Sequence, residues 1–446
     1  MTRDARTLDP VHRATPRSDA PTLRRAIGLP QAVALYVSSV LGSGILVLPG
    51  LAARIAGPAS LIAWVLLAAA GVPFALTFAS LSVRRPRAGG IYEFAKEAFG
   101  PRVALVTGWL FGFWVMTGAP AVALVAASYV GYAFPLTRPE AFVVGFGVVL
   151  AAFLVNLRGI VLSTTVQVAV IGSIVALLGT VIVLSTPRVD PSAFRPFFPD
   201  GLVPVGTAAA LIFWSYLGYE NVSNVAEEFT DPERDFRRSA LLSVTIVGAL
   251  YVAVAFVTVG TRAYEVGGGV APFGVILGNV VGPYGAAATA VLTVFIVFGV
   301  TNAYVAGMSR VAFATARDGG YPRTMAHVDP VTLVPDRALL ALLAVAIAVF
   351  VIYFAANVDL TQALLVTSGT AIAVYVIGCA AGVRIYAHSV PRSVSKMALA
   401  LIALLIALIV LPFVGGYLLA TAAVAAVGFG YATWRARRPP RSEPTI

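Results

Sequence analysis

The chain has 446 residues, of which 59% are hydrophobic and only 11% are charged, and its formal net charge is +11. A soluble protein with a large core would need about twice that charged fraction to cover its surface, so the composition excludes this class. Many apolar stretches exceed 18 residues, which predicts a polytopic helical membrane protein. In such a protein, the positive charge marks cytoplasmic loops and does not indicate a nucleic-acid partner.

The apolar stretches predict twelve membrane spans with both termini in the cytoplasm. The spans cover residues 29–53, 58–83, 103–134, 139–157, 160–186, 205–227, 238–261, 283–314, 337–356, 360–386, 394–412 and 415–434. All but five of the 31 Lys and Arg residues then lie on the cytoplasmic side. The five exceptions are Arg54, Arg138, Arg188, Arg195 and Arg262. This asymmetry follows the positive-inside rule, and a different number of spans would destroy it.

Polar, Arg-rich segments flank the apolar region. Residues 1–26 are expected to form a disordered basic tail at the lipid surface, and their lack of an apolar core argues against a secretory signal peptide. Residues 435–446 are expected to form a second basic cytoplasmic tail. Residues 27–434 then make up one transmembrane domain in contact with membrane lipid. The sequence carries no pattern that specifies an oligomeric state.

The loop after span 2 carries a helical pattern. Ile91, Phe94, Ala95, Ala98 and Phe99 follow the spacing of one helix face, which predicts a short amphipathic helix at the cytoplasmic interface. The segment that contains this helix is either a purely structural loop or part of an inner gate. After span 6, residues 227–238 alternate in charge and are expected to form a solvated turn.

Spans 1 and 6 are each interrupted near the middle by glycine and polar residues. Span 1 contains Gly42-Ser43-Gly44, and span 6 contains the run from Trp214 to Asn221. Lipid offers no hydrogen bonds, so non-helical backbone at this depth survives only where it lines a protein cavity. Paired broken helices of this kind indicate the substrate site of a transporter.

The two interrupted spans lie at corresponding places in the two halves of the chain. Span 1 enters the membrane from the cytoplasm and span 6 enters from outside, which is the arrangement of an inverted repeat. The repeats are expected at 27–186 and 205–386, with two further helices at 394–434. The predicted fold is therefore an all-α integral membrane protein with twelve transmembrane helices and a five-plus-five core.

The two breaks offer complementary groups to a zwitterion. A helix that resumes after Gly42, Ser43 and Gly44 presents unpaired N–H groups and a positive dipole end to a carboxylate. Unwound carbonyls can accept hydrogen bonds from an ammonium group. They belong to Val40, Trp214 and Leu217. The alternative is a small-residue packing contact between helices.

Glu220 is the carboxylate that falls most clearly within a span. An ionisable group there costs about 2.5–3.5 kcal/mol to insert, so a role in proton coupling or gating is expected. The alternative is a structural prop for unwound backbone. Trp214 is the aromatic residue expected to cover a bound side chain. Weaker pocket candidates on spans 3, 8 and 10 are Trp109, Trp114, Met116, Thr117, Thr301, Asn302, Thr367, Ser368 and Thr370.

The sequence contains no motif for catalysis or for metal binding. It has no Gly-rich phosphate loop with Lys and no His-Glu-x-x-His motif, and its three histidines lie outside the predicted spans. Cys379 is its single cysteine. We therefore expect no enzymatic activity, no metal and no cofactor, with protons as a candidate coupling ion. A channel is less favoured because two dissimilar broken helices suit alternating access better.

Four motifs resemble the amino acid–polyamine–organocation transporters along nearly the whole chain. They are Gly42-Ser43-Gly44-Ile45, Ala88-Gly89-Gly90-Ile91-Tyr92, the run from Trp214 to Glu220, and Asp231-Pro232-Glu233-Arg234-Asp235. The run from Glu227 to Phe236 is most similar to the bacterial amino acid efflux branch, which exports methionine and branched-chain amino acids.

The resemblance implies a LeuT-like fold in a bacterial inner membrane. It also implies that Gly42, Ser43 and Gly44 hold the substrate carboxylate and that Glu220 ends the gating motif. The segment 167–178 departs from family members that carry a lysine in span 5, because it has no basic residue. The expected function is secondary active transport of neutral, apolar amino acids, with efflux as the direction. The alternatives are a proton-coupled uptake permease or exchanger, and an amino-acid-gated sensor or channel.

Overall fold

The computed structural model of the protein describes residues 28–84, 90–159, 164–220, 232–317 and 319–436. Across these ranges all of the regular structure is helical, with short 3-10 turns between α-helices. The structure therefore confirms the predicted all-α class. The predicted tail at 1–26 lies outside the described residues, as do residues 221–231 and nearly all of the tail at 435–446.

The described helices follow the order of the predicted spans. Those that precede residue 220 are α1 (Leu29–Val40), α2 (Leu48–Ala56), α3 (Ser60–Arg84), α4 (Gly90–Phe99), α5 (Pro101–Ala133), α6 (Arg138–Leu157), α7 (Thr164–Ser185) and α8 (Val203–Ile212). Those that follow are α9 (Pro232–Gly260), α10 (Pro272–Val281), α11 (Pro283–Arg317), α12 (Asp336–Ala355), α13 (Leu360–Ala387), α14 (Val394–Val410) and α15 (Leu418–Ala436).

Nine helical stretches among the described residues are long and apolar enough to cross a membrane. One of them, Val394–Trp434, joins two predicted spans across a 3-10 segment at Leu411–Tyr417. Its 41 residues would reach about 60 Å as a straight helix, twice the thickness of a hydrocarbon core. The pieces of spans 1 and 6 are individually shorter than a crossing helix. The chain is therefore a multi-pass membrane protein, and the count of twelve stays a prediction.

Helix α5 lies at the centre of the bundle. In its most apolar window 89% of the residues are buried, against 28% in the neighbouring α6. It packs against α6, α11 and α13, and α3 packs against α9. The 33 residues of α5 would extend about 50 Å, so the helix must tilt or project beyond a core about 30 Å thick.

The amphipathic helix predicted after span 2 is confirmed as α4. Its apolar stripe is buried against α5 and α13, with Ile91 and Phe94 each less than 5% exposed. A Cβ added at Gly378 of α13 would lie 3.1 Å from the Ile91 side chain, so the two helices are in close contact. This packing holds α4 firmly under the bundle, which fits the structural alternative.

Candidate functional site

The first helix break separates α1 from α2. Helix α1 ends at Val40, and Gly42 adopts an extended conformation with φ −97° and ψ 177°. A 3-10 turn over Ser43–Leu46 follows, and α2 begins at Leu48 with Pro49 in its first turn. Proline fits this position because the first helical N–H groups have no partner within the helix.

The second break follows α8. A 3-10 turn covers Phe213–Tyr216, after which Leu217 is extended with ψ 156°. Gly218 has φ +116°, a conformation that a residue with a Cβ rarely adopts. The chain therefore leaves the helical path at the sequence position where the polar and glycine residues predict it.

The two breaks are in direct contact. A Cβ added at Gly218 would lie 2.2 Å from the carbonyl oxygen of Ser39 at the end of α1. The ring of Trp214 lies between two other glycines: an added Cβ would be 2.5 Å from it at Gly44 and also at Gly118 of α5. Glycine at these three positions allows the two breaks and α5 to meet at one point.

A small cavity lies at this meeting point, and we call it the junction cavity. Its volume is about 30 Å³, room for about two water molecules. The two breaks contribute Ser39, Val40, Gly42, Ser43, Gly44, Trp214, Ser215 and Leu217. Helices α5 and α11 contribute Trp114, Val115, Gly118, Ala119, Val122, Val300, Thr301 and Tyr304. The cavity thus has backbone and hydroxyl groups on one part of its wall and apolar side chains on another.

All six residues predicted to bind substrate line the junction cavity. The carbonyl of Val40, however, already accepts hydrogen bonds from the Gly42 N–H at 2.7 Å and from the Tyr251 hydroxyl at 2.9 Å. These two donors match the two lone pairs of a carbonyl oxygen. In this conformation an ammonium group would have to compete for Val40. Of the two predicted carbonyls in the second break, that of Trp214 accepts a longer hydrogen bond, from the Leu217 N–H at 3.4 Å.

Glu220 is not among the residues that line the junction cavity. Its side chain is 4% exposed and accepts hydrogen bonds from the Tyr375 hydroxyl of α13 and, at 3.1 Å, from the Gly218 N–H. The carboxylate thereby ties the second break to α13. This geometry suits the structural alternative as well as a coupling role, and the coupling role stays a prediction.

The weaker candidates divide between the cavity and helix contacts. Trp114 and Thr301 line the cavity. Thr117 and Thr367 hydrogen-bond to each other at 3.3 Å, and Asn302 accepts from Asn156 of α6 at 2.9 Å. Away from the cavity are Trp109, Met116, Ser368 and Thr370.

Sequence reasoning missed three tyrosines that hold the breaks in place. Tyr251 bonds the Val40 carbonyl, Tyr375 bonds Glu220, and Tyr129 donates to the Leu46 carbonyl at 2.5 Å. Each lies on a long apolar helix far along the chain from its partner. A tyrosine in such a helix gives no local signal of the carbonyl that it will meet.

A second and larger cavity adjoins the first, and we call it the side cavity. It has a volume of about 460 Å³ and lies between α1, α5, α7 and α11. The two cavities share the wall residues Ser39, Gly42, Val115, Val300 and Tyr304. A volume of this order is in the range of small-molecule sites, which run from about 300 to 1,000 Å³.

A bundle of membrane-crossing helices with a cavity at two touching helix breaks is the arrangement of a multi-pass membrane transporter. Within the described ranges, no group of His, Cys, Asp and Glu residues could hold a metal ion. The sequence model of the amino acid permease family matches residues 27–432, and the chain belongs to that family.

Several characterised and uncharacterised proteins are similar to this chain. The uncharacterized amino acid permease YecA of Bacillus subtilis (strain 168) is 36% identical over 77% of this chain and 81% of its own length. The L-methionine/branched-chain amino acid exporter YjeH of Escherichia coli (strain K12) is 33% identical over 54% of this chain and 58% of its own length. The branched-chain amino acid permease BcaP of B. subtilis is 28% identical over 69% and 70%.

Proposed function

We propose that this protein is a secondary active transporter of neutral, apolar amino acids that works by alternating access and exports its substrate. The observation that carries the proposal is the junction cavity, where both helix breaks present backbone groups to one small volume. The carboxylate is held at Gly42, Ser43 and Gly44, and the carbonyls of Trp214 and Leu217 accept from the ammonium group. The apolar wall contributed by α5 suits an uncharged side chain.

The transmembrane domain is proposed to span the membrane twelve times, with inverted repeats at 27–186 and 205–386 and two added helices at 394–434. The contact between the two breaks supports this arrangement, because an inverted repeat brings corresponding helices together near the middle of the membrane. The positive-inside rule supports cytoplasmic termini in a bacterial inner membrane.

The side cavity supports alternating access. Phe111, early in α5, and Val311, late in α11, both line it, and both are expected near the cytoplasmic face. A cavity that adjoins the substrate site on this side of the membrane suits a conformation open to the inside. Trp214, packed against Gly44 and Gly118, would close the site when the two breaks rearrange.

Two names among the relatives bear on the substrate and its direction. One relative is an exporter of methionine and branched-chain amino acids, and another is a branched-chain amino acid permease. Both names favour apolar amino acids, and the exporter favours efflux. A proton-coupled uptake permease or exchanger is the second candidate. We propose no catalytic reaction and no cofactor, and protons are the coupling ion.

The test is counterflow in proteoliposomes loaded with unlabelled methionine or leucine. Labelled amino acid should accumulate with the wild type and fail to do so with Gly42→Val. A Cβ at Gly42 has only the Val40 carbonyl within 4 Å, at 3.9 Å, so the added side chain starts in open space at the wall of the cavity. Gly172→Val in α7, where a Cβ meets nothing within 4 Å, is the matched control.

The outcomes of this test distinguish between a transporter, a different substrate class, and a sensor or channel. Loss of counterflow in Gly42→Val alone supports a transporter with its site at the first break. Uptake of no neutral amino acid by folded wild-type protein would refute the substrate class. Ligand binding without stoichiometric counterflow would instead favour the amino-acid-gated sensor or channel.

A further inference from the structure

Three helices converge where they are predicted to meet the cytoplasmic face of the membrane. A Cβ added at Gly382 of α13 would lie 3.2 Å from the Thr77 side chain of α3 and 3.2 Å from that of Ala400 in α14. One turn further along α13, the Tyr386 hydroxyl donates to the Ser80 hydroxyl of α3 at 2.7 Å. The ends of α3 and α13 and the start of α14 therefore lie side by side.

Four positively charged residues lie at these helix ends, and we call them the cation cluster. Arg84 is the last residue of α3, Arg384 lies in the last turn of α13, and Lys396 lies in the first turn of α14. Arg392 lies in the segment that joins α13 to α14. All four residues are exposed, and none of them forms an ion pair with a carboxylate of the described residues.

Two of these cations lie against aromatic rings instead of carboxylates. The Nζ of Lys396 is 5.9 Å from the centre of the Tyr386 ring, and the Cζ of Arg384 is 5.6 Å from the centre of the Phe99 ring in α4. The face of a ring attracts a cation but does not cancel its charge. These contacts therefore orient both side chains and leave their positive charge available to an anion.

The other polar groups nearby do not neutralise the cluster. The Arg392 Nε donates to the Ala387 carbonyl at 3.1 Å, and the two terminal nitrogens of the guanidinium make no hydrogen bond with the described residues. On the adjoining helix α4, Glu93 pairs with Lys96 at 3.8 Å. Glu97 is close enough to act electrostatically on Tyr386, but it can balance only one of four positive charges. The cluster therefore carries an excess of positive charge.

Two exposed valines adjoin the cations. Val390 is 98% exposed and Val394 is 64% exposed, and they flank Arg392 along the chain. Exposed apolar side chains beside Lys and Arg are typical of segments at the boundary between lipid headgroups and acyl chains. A soluble anion would contact the cations alone. An anionic phospholipid would offer a phosphate group to the cations and an acyl chain to the valines.

We propose that the cation cluster binds the phosphate headgroup of an anionic phospholipid in the cytoplasmic leaflet. Basic pockets between helix ends on that side of a membrane suit such headgroups. The bound lipid connects the ends of α3, α13 and α14. Because α13 also carries Tyr375, which bonds Glu220, the lipid stabilises the helix to which the second break is tied. Lipid binding at this surface does not depend on which solute the protein transports.

The test is thermal stabilisation of the purified full-length protein in detergent by added lipid. Phosphatidylglycerol should raise the melting temperature more than zwitterionic phosphatidylcholine does. In the double variant Arg384→Gln/Lys396→Gln, the apparent affinity for phosphatidylglycerol should fall about 30-fold, which is about fivefold for each positive charge removed. High salt should weaken the stabilisation of the wild type, because salt screens exposed charges.

Further variants separate the cluster from the general charge of the cytoplasmic face. Arg84→Gln changes neither ring contact and should lower the affinity about fivefold. The matched control is Arg323→Gln/Arg337→Gln, which removes the same charge from two exposed residues that are also predicted to be cytoplasmic but lie outside the cluster. This control should keep the affinity of the wild type. Inorganic phosphate supplies an anion without an acyl chain and should stabilise the protein much less than phosphatidylglycerol.

Three results would overturn the inference. An unchanged affinity for phosphatidylglycerol in the cluster variants would place the lipid elsewhere. An equal loss in Arg323→Gln/Arg337→Gln would mean that the total cytoplasmic charge attracts the lipid and that this surface has no special role. Stabilisation by inorganic phosphate as strong as that by phosphatidylglycerol would indicate an anion site without a lipid. None of these results depends on counterflow, so they remain decisive even if the proposed transport function is wrong.

Discussion

At the residue scale, glycines of the two breaks have different surroundings and therefore different roles. Gly42 faces open space in the junction cavity, where an added Cβ meets only one atom at 3.9 Å. Gly218 combines a positive φ with a close approach to the Ser39 carbonyl. The first glycine leaves room for a ligand, and the second allows two backbone segments to touch.

We expect Gly218→Ala to destabilise the protein and abolish transport. Strain from the positive φ alone costs about 1–3 kcal/mol, and the added Cβ would also push the Ser39 backbone away. Gly415 is the matched control, because it has φ +66° and nothing within 4 Å of an added Cβ. Thermal unfolding in detergent should show a clearly larger loss for Gly218→Ala than for Gly415→Ala. Equal losses would mean that the contact with Ser39 is unimportant.

Glu220 leads to a second prediction at this scale. If its carboxyl group carries the coupled proton, Glu220→Gln should remove the dependence of transport on pH while preserving an acceptor for Tyr375 and Gly218. Tyr375→Phe keeps the carboxyl group and should keep a pH-dependent rate. The measurement is counterflow at a series of internal and external pH values. An unchanged pH profile in Glu220→Gln would reduce Glu220 to a structural prop.

At the scale of elements, helix α5 supports both the first break and an outer helix. The Tyr129 hydroxyl donates to the Leu46 carbonyl at 2.5 Å and accepts from the Phe273 N–H, at the start of α10, at 3.4 Å. A Cβ at Gly50 of α2 would lie 2.1 Å from the Gly269 carbonyl, just before α10. Movement of the first break is therefore expected to involve α10.

Tyr129→Phe tests this connection between elements. The change leaves a carbonyl and an N–H group buried without this partner, which should cost about 1–3 kcal/mol. Tyr132→Phe, about one turn along the same helix, is the control, because Tyr132 is only half-buried and it is Tyr129 that bonds Leu46 and Phe273. Hydrogen exchange should rise at both Leu46–Leu48 and Phe273–Val275 in Tyr129→Phe. A rise at only one of the two segments would contradict the proposed connection between the first break and α10 through Tyr129.

At the scale of the whole molecule, orientation is set by the distribution of Arg and Lys. The single cysteine, Cys379, is fully buried, so the wild type should not react with a membrane-impermeant maleimide. Asp200 and Arg323 are both exposed and are predicted to lie on opposite sides of the membrane.

Asp200→Cys should therefore be labelled in intact cells, whereas Arg323→Cys should be labelled only after the membrane is permeabilised. The proposed topology places Asp200 outside and Arg323 in the cytoplasm. Labelling is read on the purified protein, with the wild type as the unreactive reference. Reaction of both positions in intact cells, or the reverse pattern, would contradict the twelve-span topology.

The positions of both breaks could be predicted because the reason for them is local. Glycine and polar residues inside an apolar span cannot face lipid, so Gly42 and Gly218 mark unwound backbone without knowledge of any partner. The helix stripe from Ile91 to Phe99 has the same local basis. The hydrogen-bond partners of the unwound residues could not be predicted in this way. Tyr251 and Tyr375 reach Val40 and Glu220 across long separations along the chain.

The sequence by itself determined that this is a multi-pass helical membrane protein of the amino acid permease family with two interrupted spans. Composition, periodicity and motif order are properties of neighbouring residues, and lipid imposes strict rules on them. The tertiary structure alone decided that the breaks touch at Ser39 and Gly218, that Val40 already has two donors, and that α3, α13 and α14 meet at Gly382. These contacts join separate helices, so they depend on how the helices pack.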